Sequence, residues 1–397
     1  MEFLKSFNLA TQDEIIRVVD SNINEWKACA FASMEEIEEV DKMTEEEKNR
    51  AFATLINFGT AGLRGKMKPG TTGMNSFTVA LATTALGKLV IEAGGEQMGV
   101  VIACDSRNNS ESFSSISAAI LADMGIKVYL FSSLRPTPEL SFAIRYLGCK
   151  AGINVTASHN TKEYNGYKVY WEDGAQLPPT EAEKISKLIP ELDVAKMKNP
   201  DFDLLVKNGK IVIIDKDVDE KYLEAVLGEK NGVKCADTLN ILYTPLHGAG
   251  HILVPEALRR AGFKNISTVA SQIVPDGNFP TVEKPNPQFI EAFSEGIKIA
   301  GNADLIIATD PDADRMGVAV PDKNGKFTVL SGNAIALVLL DYIIRVKKEN
   351  ADNYCFFTVD KFINNEEDYD FWKQEITRMQ EELETKINKK YDYEFAL

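Results

Sequence analysis

The chain has 397 residues, 44% of them hydrophobic and 26% charged, with a mean hydropathy of -0.17. That is an ordinary globular composition, long enough for two or three domains, and no run of about 18 apolar residues exists for a membrane span. The formal charge of -15 argues against a basic footprint for nucleic acid and against attraction to anionic membranes, while a few local Arg and Lys could still hold a sugar phosphate. The start, Met1-Glu-Phe-Leu-Lys5, lacks the basic-then-apolar order of a signal peptide. Five cysteines, odd in number and scattered (Cys29, Cys104, Cys149, Cys235, Cys355), suit buried thiols in a reducing cytoplasm better than disulfides or zinc.

Residues 1–57 alternate charged and apolar positions at helical spacing, and Ser33-Met-Glu-Glu36 and Thr44-Glu-Glu-Glu47 read as capping boxes at helix starts. From about 97 the pattern changes to short β-branched runs alternating with amphipathic helices. Strands are expected at 98–103, 127–131 and 151–156, with helices over 111–124 and 138–147 and Gly125 as a helix stop. After a polar stretch at 191–210 the rhythm restarts, with a strand at 240–244, a helix from Val254 to Gly262 and a strand at 303–309. Leu121 to Lys127 and Leu258 to Lys264 share a helix, Gly, apolar, Lys layout, which would mark a repeated α/β unit or simply two ordinary helix-to-strand turns. In 361–397, Trp372, Ile376, Met379, Leu383 and Ile387 recur at helical spacing, so a charged amphipathic helix is expected, packed on the body, on a second copy or on a partner chain.

The fold class is therefore α/β: tandem α/β domains with mixed, mostly parallel sheets sandwiched by helices, plus a helical N-terminal segment and a helical C-terminal tail. The expected boundaries are 1–44 for the N-terminal segment, 45–200 for domain I, 205–322 for domain II, 323–350 for the start of an incomplete domain III, and 351–397 for the tail.

Several motifs carry chemistry. Phe58-Gly-Thr-Ala-Gly-Leu-Arg-Gly65 is a glycine-rich loop through which backbone N–H groups could approach a phosphate, with Arg64 as a charged donor. It is not a P-loop, which would need Gly at 60 and Ser or Thr at 67 where Thr60 and Met67 stand. Thr156-Ala-Ser-His-Asn160 follows a strand and leaves Ser158 open, either as a nucleophile that needs activation or as simple turn chemistry. Asn165-Gly-Tyr-Lys168 brings Lys168 near that loop if the chain folds back, and nearby metal or cations would disfavour its charge. His247, in Pro245-Leu-His-Gly-Ala-Gly250, reads more readily as a hydrogen-bonded structural histidine than as a catalytic one.

Asp310-Pro-Asp-Ala-Asp-Arg315 places carboxylates at i, i+2 and i+4, on one side of an extended loop at a strand's carboxyl end, where open α/β sheets bind ligands. Such oxygen ligands select a hard divalent cation unless the motif is only an acidic turn. An EF-hand is excluded because Arg315 and Pro321 occupy its Gly and Glu positions.

In this order and spacing, Thr60-Ala-Gly-Leu-Arg-Gly65, Thr156-Ala-Ser-His-Asn160, Asn165-Gly-Tyr-Lys168, Thr244-Pro-Leu-His-Gly248 and Asp310-Pro-Asp-Ala-Asp-Arg315 resemble the α-D-phosphohexomutase family, which includes phosphoglucomutases and phosphomannomutases. The resemblance covers about residues 45 to 345. It implies that Ser158 is a phosphoserine and, with Asp310, Asp312 and Asp314, a Mg²⁺ ligand. It implies that Arg64 and Lys168 serve the reacting hydroxyl, that His159 assists beside the serine, and that Thr60, Arg64, Lys168 and Arg315 contact a hexose phosphate. The implied reaction shifts phosphate between C1 and C6 through a hexose 1,6-bisphosphate, which also serves as primer, in a cytoplasmic enzyme. The family's sugar-reading Gly-Glu-Glu/Met-Ser loop and its distal phosphate loop are not found, so a chain that binds metal, phosphate or a partner without turnover is the alternative. An Asp-nucleophile phosphatase using Asp310 and Asp312 would leave the Ser158 loop without a role.

Overall fold

The computed structural model describes residues 12–230 and 236–349. Met1 to Lys5, Cys235, Cys355 and the stripe of 361–397 with its suggested partner contacts lie outside these described residues.

Three helices open the chain: α1 (Gln12–Ala28), α2 (Met34–Lys42) and α3 (Glu45–Phe52). Both capping boxes are present, Ser33 with Glu36 and Thr44 with Glu47, and each satisfies amides that a helix start leaves without partners. Trp26 packs edge-to-face on Phe52 at 5.6 Å, which ties α1 and α3 into the core of the next unit.

That unit contains β1 (Leu63–Lys66), α4 (Ser76–Glu92), β2 (Val100–Cys104), α5 (Ser110–Asp123), β3 (Val128–Phe131), α6 (Thr137–Leu147), β4 (Ala151–Val155), β5 (Tyr164–Trp171), α7 (Pro179–Leu188), α8 (Phe202–Lys207) and β6 (Ile211–Ile214). Its strand order is β1-β5-β4-β2-β3-β6. β4, β2, β3 and β6 run parallel, while β5 and β1 form an antiparallel edge. One face is covered by α4 and α5 and the other by α6, giving separate apolar clusters on the two sides of the sheet.

After α9 (Lys216–Gly228) come β7 (Asn240–Thr244), α10 (Leu253–Ala261), β8 (Asn265–Thr268), α11 (Ser294–Ile299), β9 (Leu305–Thr309), β10 (Met316–Pro321), β11 (Phe327–Val329) and α12 (Gly332–Glu349). The second sheet has the order β11-β10-β9-β7-β8, parallel through β9, β7 and β8 and antiparallel at β10 and β11.

Two expected boundaries shift. β6 lies beyond residue 200 yet pairs with β3 in the first sheet, and β11, expected in a third domain, pairs with β10 in the second. Edge strands are assigned by hydrogen bonding to a neighbour, which local sequence does not display. α12 leaves Val338, Leu339, Tyr342 and Ile343 exposed.

The suggested repeat has structural content. Gly125 and Gly262 both stop a helix in the left-handed region, at φ 85 and 108, and each leads into a strand, β3 or β8, parallel to its unit's β2 or β7. In each unit the next parallel strand, β4 or β9, then folds back antiparallel into β5 or β10. The serine loop and the aspartate loop are thus equivalent connections, β4 to β5 and β9 to β10.

Candidate active site

The two equivalent loops face each other. Ser158 Oγ donates to Asp310 Oδ2 at 2.7 Å across 152 positions of sequence, and both residues are buried. Ser158 itself is held at φ 52, an uncommon conformation for a residue with a Cβ. Its N–H donates to Thr156 Oγ1 at 2.8 Å, and the Thr156 hydroxyl donates to Asp105 at 2.6 Å. His159 Nδ1 stands 3.2 Å from Ser158 Oγ. Burial, then Arg315 and Arg64, push the His159 pKa down, so its ring is neutral at physiological pH.

One carboxylate oxygen from each of Asp310, Asp312 and Asp314 lies within 4.8 Å of the others. The expected reason for this convergence is corrected: the loop is not extended. It is a tight turn in which Ala313 N donates to the Asp310 carbonyl, Arg315 N donates to Asp310 Oδ1, and Ala313 has φ 52. Other elements brace it. Ala249 N donates to the Pro311 carbonyl at 2.7 Å, and a Cβ on Gly248 would stand 2.3 Å from Pro311 Cα. From the first unit, Thr137 at the start of α6 donates its N–H to the Asp312 carbonyl at 2.8 Å and its hydroxyl to Asp312 Oδ2 at 2.9 Å. Asn154 donates in turn to Thr137 Oγ1 at 2.6 Å.

Lys168 is brought in because the chain folds back as a hairpin, with Lys168 opposite Asn154. Its Nζ donates to Asp312 at 2.7 Å and to Asp314 at 3.2 Å. Burial works against its charge, but Asp312 outweighs it and the pKa is raised, the reverse of the sequence expectation, because anions rather than cations surround it. Asp312 shows the same balance from the other side: burial alone would raise it, and Lys168 holds it below the usual carboxylate value. Asp310 lacks such a partner, and burial with repulsion from Asp312 and Asp314 pushes it well up.

The donor set suits a hard divalent cation. Asp312 Oδ1 is buried with no hydrogen-bond partner, an unstable arrangement for an oxygen that nothing satisfies, and all three side chains are oxygen donors.

The other sequence candidates gather less tightly. Arg64, exposed on β1, donates to Asn160 Oδ1 at 3.3 Å and so touches the serine loop. Arg315 is half-exposed, with Nε 3.8 Å from Asp314. Thr60 sits on an exposed turn before β1. The glycine-rich loop does not present free amides as expected: Gly59 and Gly62 exchange their N–H···O bonds, and a Cβ on Gly62 would stand 1.9 Å from the Tyr167 carbonyl. Gly62 thus allows close packing on β5. His247 is structural, with Nδ1 3.0 Å from the Val274 carbonyl and Nε2 2.9 Å from Thr281 Oγ1. The sequence reasoning missed Thr137, Asn154 and Asp105, whose roles rest on partners far along the chain. A Thr directly after Pro136 at a helix start was the available signal.

Residues 55–196 match the profile described as phosphoglucomutase/phosphomannomutase, alpha/beta/alpha domain I, and residues 220–325 match that of domain II. A phosphoglucomutase of Staphylococcus epidermidis is 38% identical over 319 residues, covering 80% of this chain and 58% of that protein. A Staphylococcus aureus phosphoglucomutase is 37% identical over 308 residues, covering 77% and 55%. Among solved structures, a Thermus thermophilus chain named as a phosphomannomutase candidate aligns with TM-score 0.61 and 28% identity over 73% of this chain and 62% of that one. The chain thus spans 58% of the length of the Staphylococcus epidermidis relative. With both domain profiles matched and a serine loop facing an aspartate loop, the chain belongs to the phosphoglucomutase/phosphomannomutase family, the α-D-phosphohexomutases.

Proposed function

We propose that this chain carries the phosphoserine and metal part of a phosphohexomutase site that interconverts hexose 1-phosphate and hexose 6-phosphate. The observation that carries the reading is the 2.7 Å approach of Ser158 Oγ to Asp310, inside a cluster of three convergent carboxylates. Asp310, Asp312 and Asp314 would hold Mg²⁺, with the Ser158 phosphate as a further ligand. When bound, Mg²⁺ withdraws charge from a phosphoryl oxygen.

The chain's own groups divide the remaining work. In the forward transfer the P–O bond at phospho-Ser158 breaks, a new P–O bond forms at a sugar hydroxyl, and the hydroxyl's proton ends on Ser158 Oγ. The bisphosphate turns over, the P–O bond to its other sugar oxygen breaks as a new one forms at Ser158 Oγ, and the Ser158 proton passes through the neutral His159 ring to the sugar oxygen that leaves. Lys168, held charged between Asp312 and Asp314, stabilises the charge on the phosphoryl oxygens, and Arg64 and Arg315 contribute positive charge at the rim. Thr60, on the exposed turn ahead of Arg64, joins Arg64, Lys168 and Arg315 in contacting the hexose phosphate. A cytoplasmic setting accords with the free thiols Cys29, Cys104 and Cys149.

The test is phosphate on Ser158. Incubation with Mg²⁺ and glucose 1,6-bisphosphate should add one phosphate by intact mass, and glucose or mannose 1-phosphate should then convert to the 6-phosphate. Ser158→Ala should lose both. Conversion that survives in Ser158→Ala would remove the mechanism. A second reading, metal and phosphate binding without turnover, draws on the fact that the chain spans only part of its relatives' length. It is upheld if Ser158 takes phosphate and no hexose phosphate is converted.

A further inference from the structure

The loop after β2 supplies a residue that no motif above includes. Arg107 is 3% exposed, and its guanidinium is consumed by main chain. Nη2 donates to the carbonyls of Ser158 and Asn160, each at 2.5 Å, and Nη1 donates to those of Thr161 and Tyr164, each at 2.9 Å. Four carbonyls from one short loop therefore converge on a single cation. Asp105 stands 3.1 Å from Nε and balances the charge. None of the four terminal N–H donors is left for a ligand, so this arginine is not a phosphate-binding residue.

The second unit also reaches this arginine. The Phe279 ring lies 5.0 Å from the guanidinium carbon, within cation–π range. Phe279 is itself held at φ 46, where a bulky side chain incurs a steric penalty. His247 braces this segment through Val274 and Thr281, and Asn108 donates to Asn278 at 3.1 Å. Two residues with positive φ, Ser158 and Phe279, thus both contact Arg107.

We infer that Arg107, seated on Phe279, is the positioning residue of the serine loop: it holds Ser158 in its left-handed conformation so that Oγ meets Asp310. Lysine cannot replace it, because one ammonium has three donors on a single atom and cannot span four carbonyls in a planar fork. The geometric assignment stands by itself; its catalytic consequence rests on the phosphoserine reading above.

The experiment compares the full chain with Arg107→Lys and Phe279→Leu, each checked for folding by near-ultraviolet circular dichroism. Amide hydrogen exchange over 156–164 should rise at least about tenfold in Arg107→Lys and less in Phe279→Leu, with α4 and β2 unchanged. Exchange that is unchanged over 156–164, or that rises equally throughout the first unit, overturns the assignment. Should Arg107→Lys fail to fold, Phe279→Leu decides on the same criterion. Phosphorylation of Ser158 by glucose 1,6-bisphosphate should slow by about 100-fold in Arg107→Lys, while Mn²⁺ affinity at the aspartates stays within about twofold. Phosphorylation at the unaltered rate overturns the catalytic consequence. Localised exchange together with no phosphate uptake by the unaltered chain would sink the phosphoserine reading and leave Arg107's positioning role standing.

Discussion

At Lys168 a single buried ammonium pairs with two carboxylates, buried Asp312 and the more exposed Asp314. Removing one partner of such a buried pair leaves uncompensated charge, so Lys168→Met should lower stability by about 3–5 kcal/mol in urea unfolding. Added Mn²⁺ should restore part of that loss, because a divalent cation can replace the missing charge; no recovery would argue against a cation site at Asp312 and Asp314. Gly62 makes a different residue-scale demand. It lies at φ 75 with the Tyr167 carbonyl where a Cβ would sit. Gly62→Ala should cost more than about 1 kcal/mol and disturb β1 against β5, as read by unfolding. A neutral outcome would mean that the loop can move away, and that its glycine is not needed for packing.

Helix α6 links two events. Its first residue, Thr137, holds Asp312 from the opposite unit, and two residues later Glu139 is buried without a hydrogen-bond donor for either carboxylate oxygen. Arg135 Nε lies 3.8 Å from Glu139 and directs its donors to Asp215, Asp219, Ser133 and the Leu134 carbonyl. Burial first, and then hydrogen bonding with Asp219, pushes the Glu139 pKa up to about 9 from 4.5; protonated, it can donate to Asp219. In the unfolded chain Glu139 ionises at its ordinary value, so between about 4.5 and 9 the folded state binds the extra proton and stability falls as pH rises. The slope is at most about 1.4 kcal/mol per pH unit for one group. Melting temperature should therefore drop from pH 7 to 9, and Glu139→Gln should flatten that drop. Equal slopes for the two proteins would show that Glu139 is already ionised in the folded state. Thr137→Val should weaken divalent metal binding by about 10- to 100-fold in calorimetry, since it removes the donor that orients Asp312.

At the scale of the molecule, two equivalent strand-loop-strand connections meet and make one site. Metal bound by the aspartate loop should stabilise the folded chain by mass action, about 2.7 kcal/mol at 100 times the dissociation constant. A melting temperature that rises with Mg²⁺, reverses with a chelator, and does neither in Asp312→Asn is the expected pattern. Among the described residues no helix is long and apolar enough to cross a membrane.

Local sequence determined much of this. Short continuous apolar runs such as Asn240–Thr244 became strands, Ser33 and Thr44 became caps, and Gly125 and Gly262 ended helices, because each depends on a residue and its immediate neighbours. The serine and aspartate loops were legible as chemistry because their residue types are costly without a ligand or an unusual role. Helix α4 was not legible: it is apolar nearly all round, since it lies between the sheet and other helices, and it shows no amphipathic period. No strand is expected over β5 from its own residues, because its hairpin pairing lies in β4. The Thr137, Arg107 and Phe279 contacts, and the raised charge state of Lys168, were decided by tertiary structure alone. They are set by which groups come within hydrogen-bond distance after about 50 to 175 positions of chain have folded, and by how far water is excluded from them.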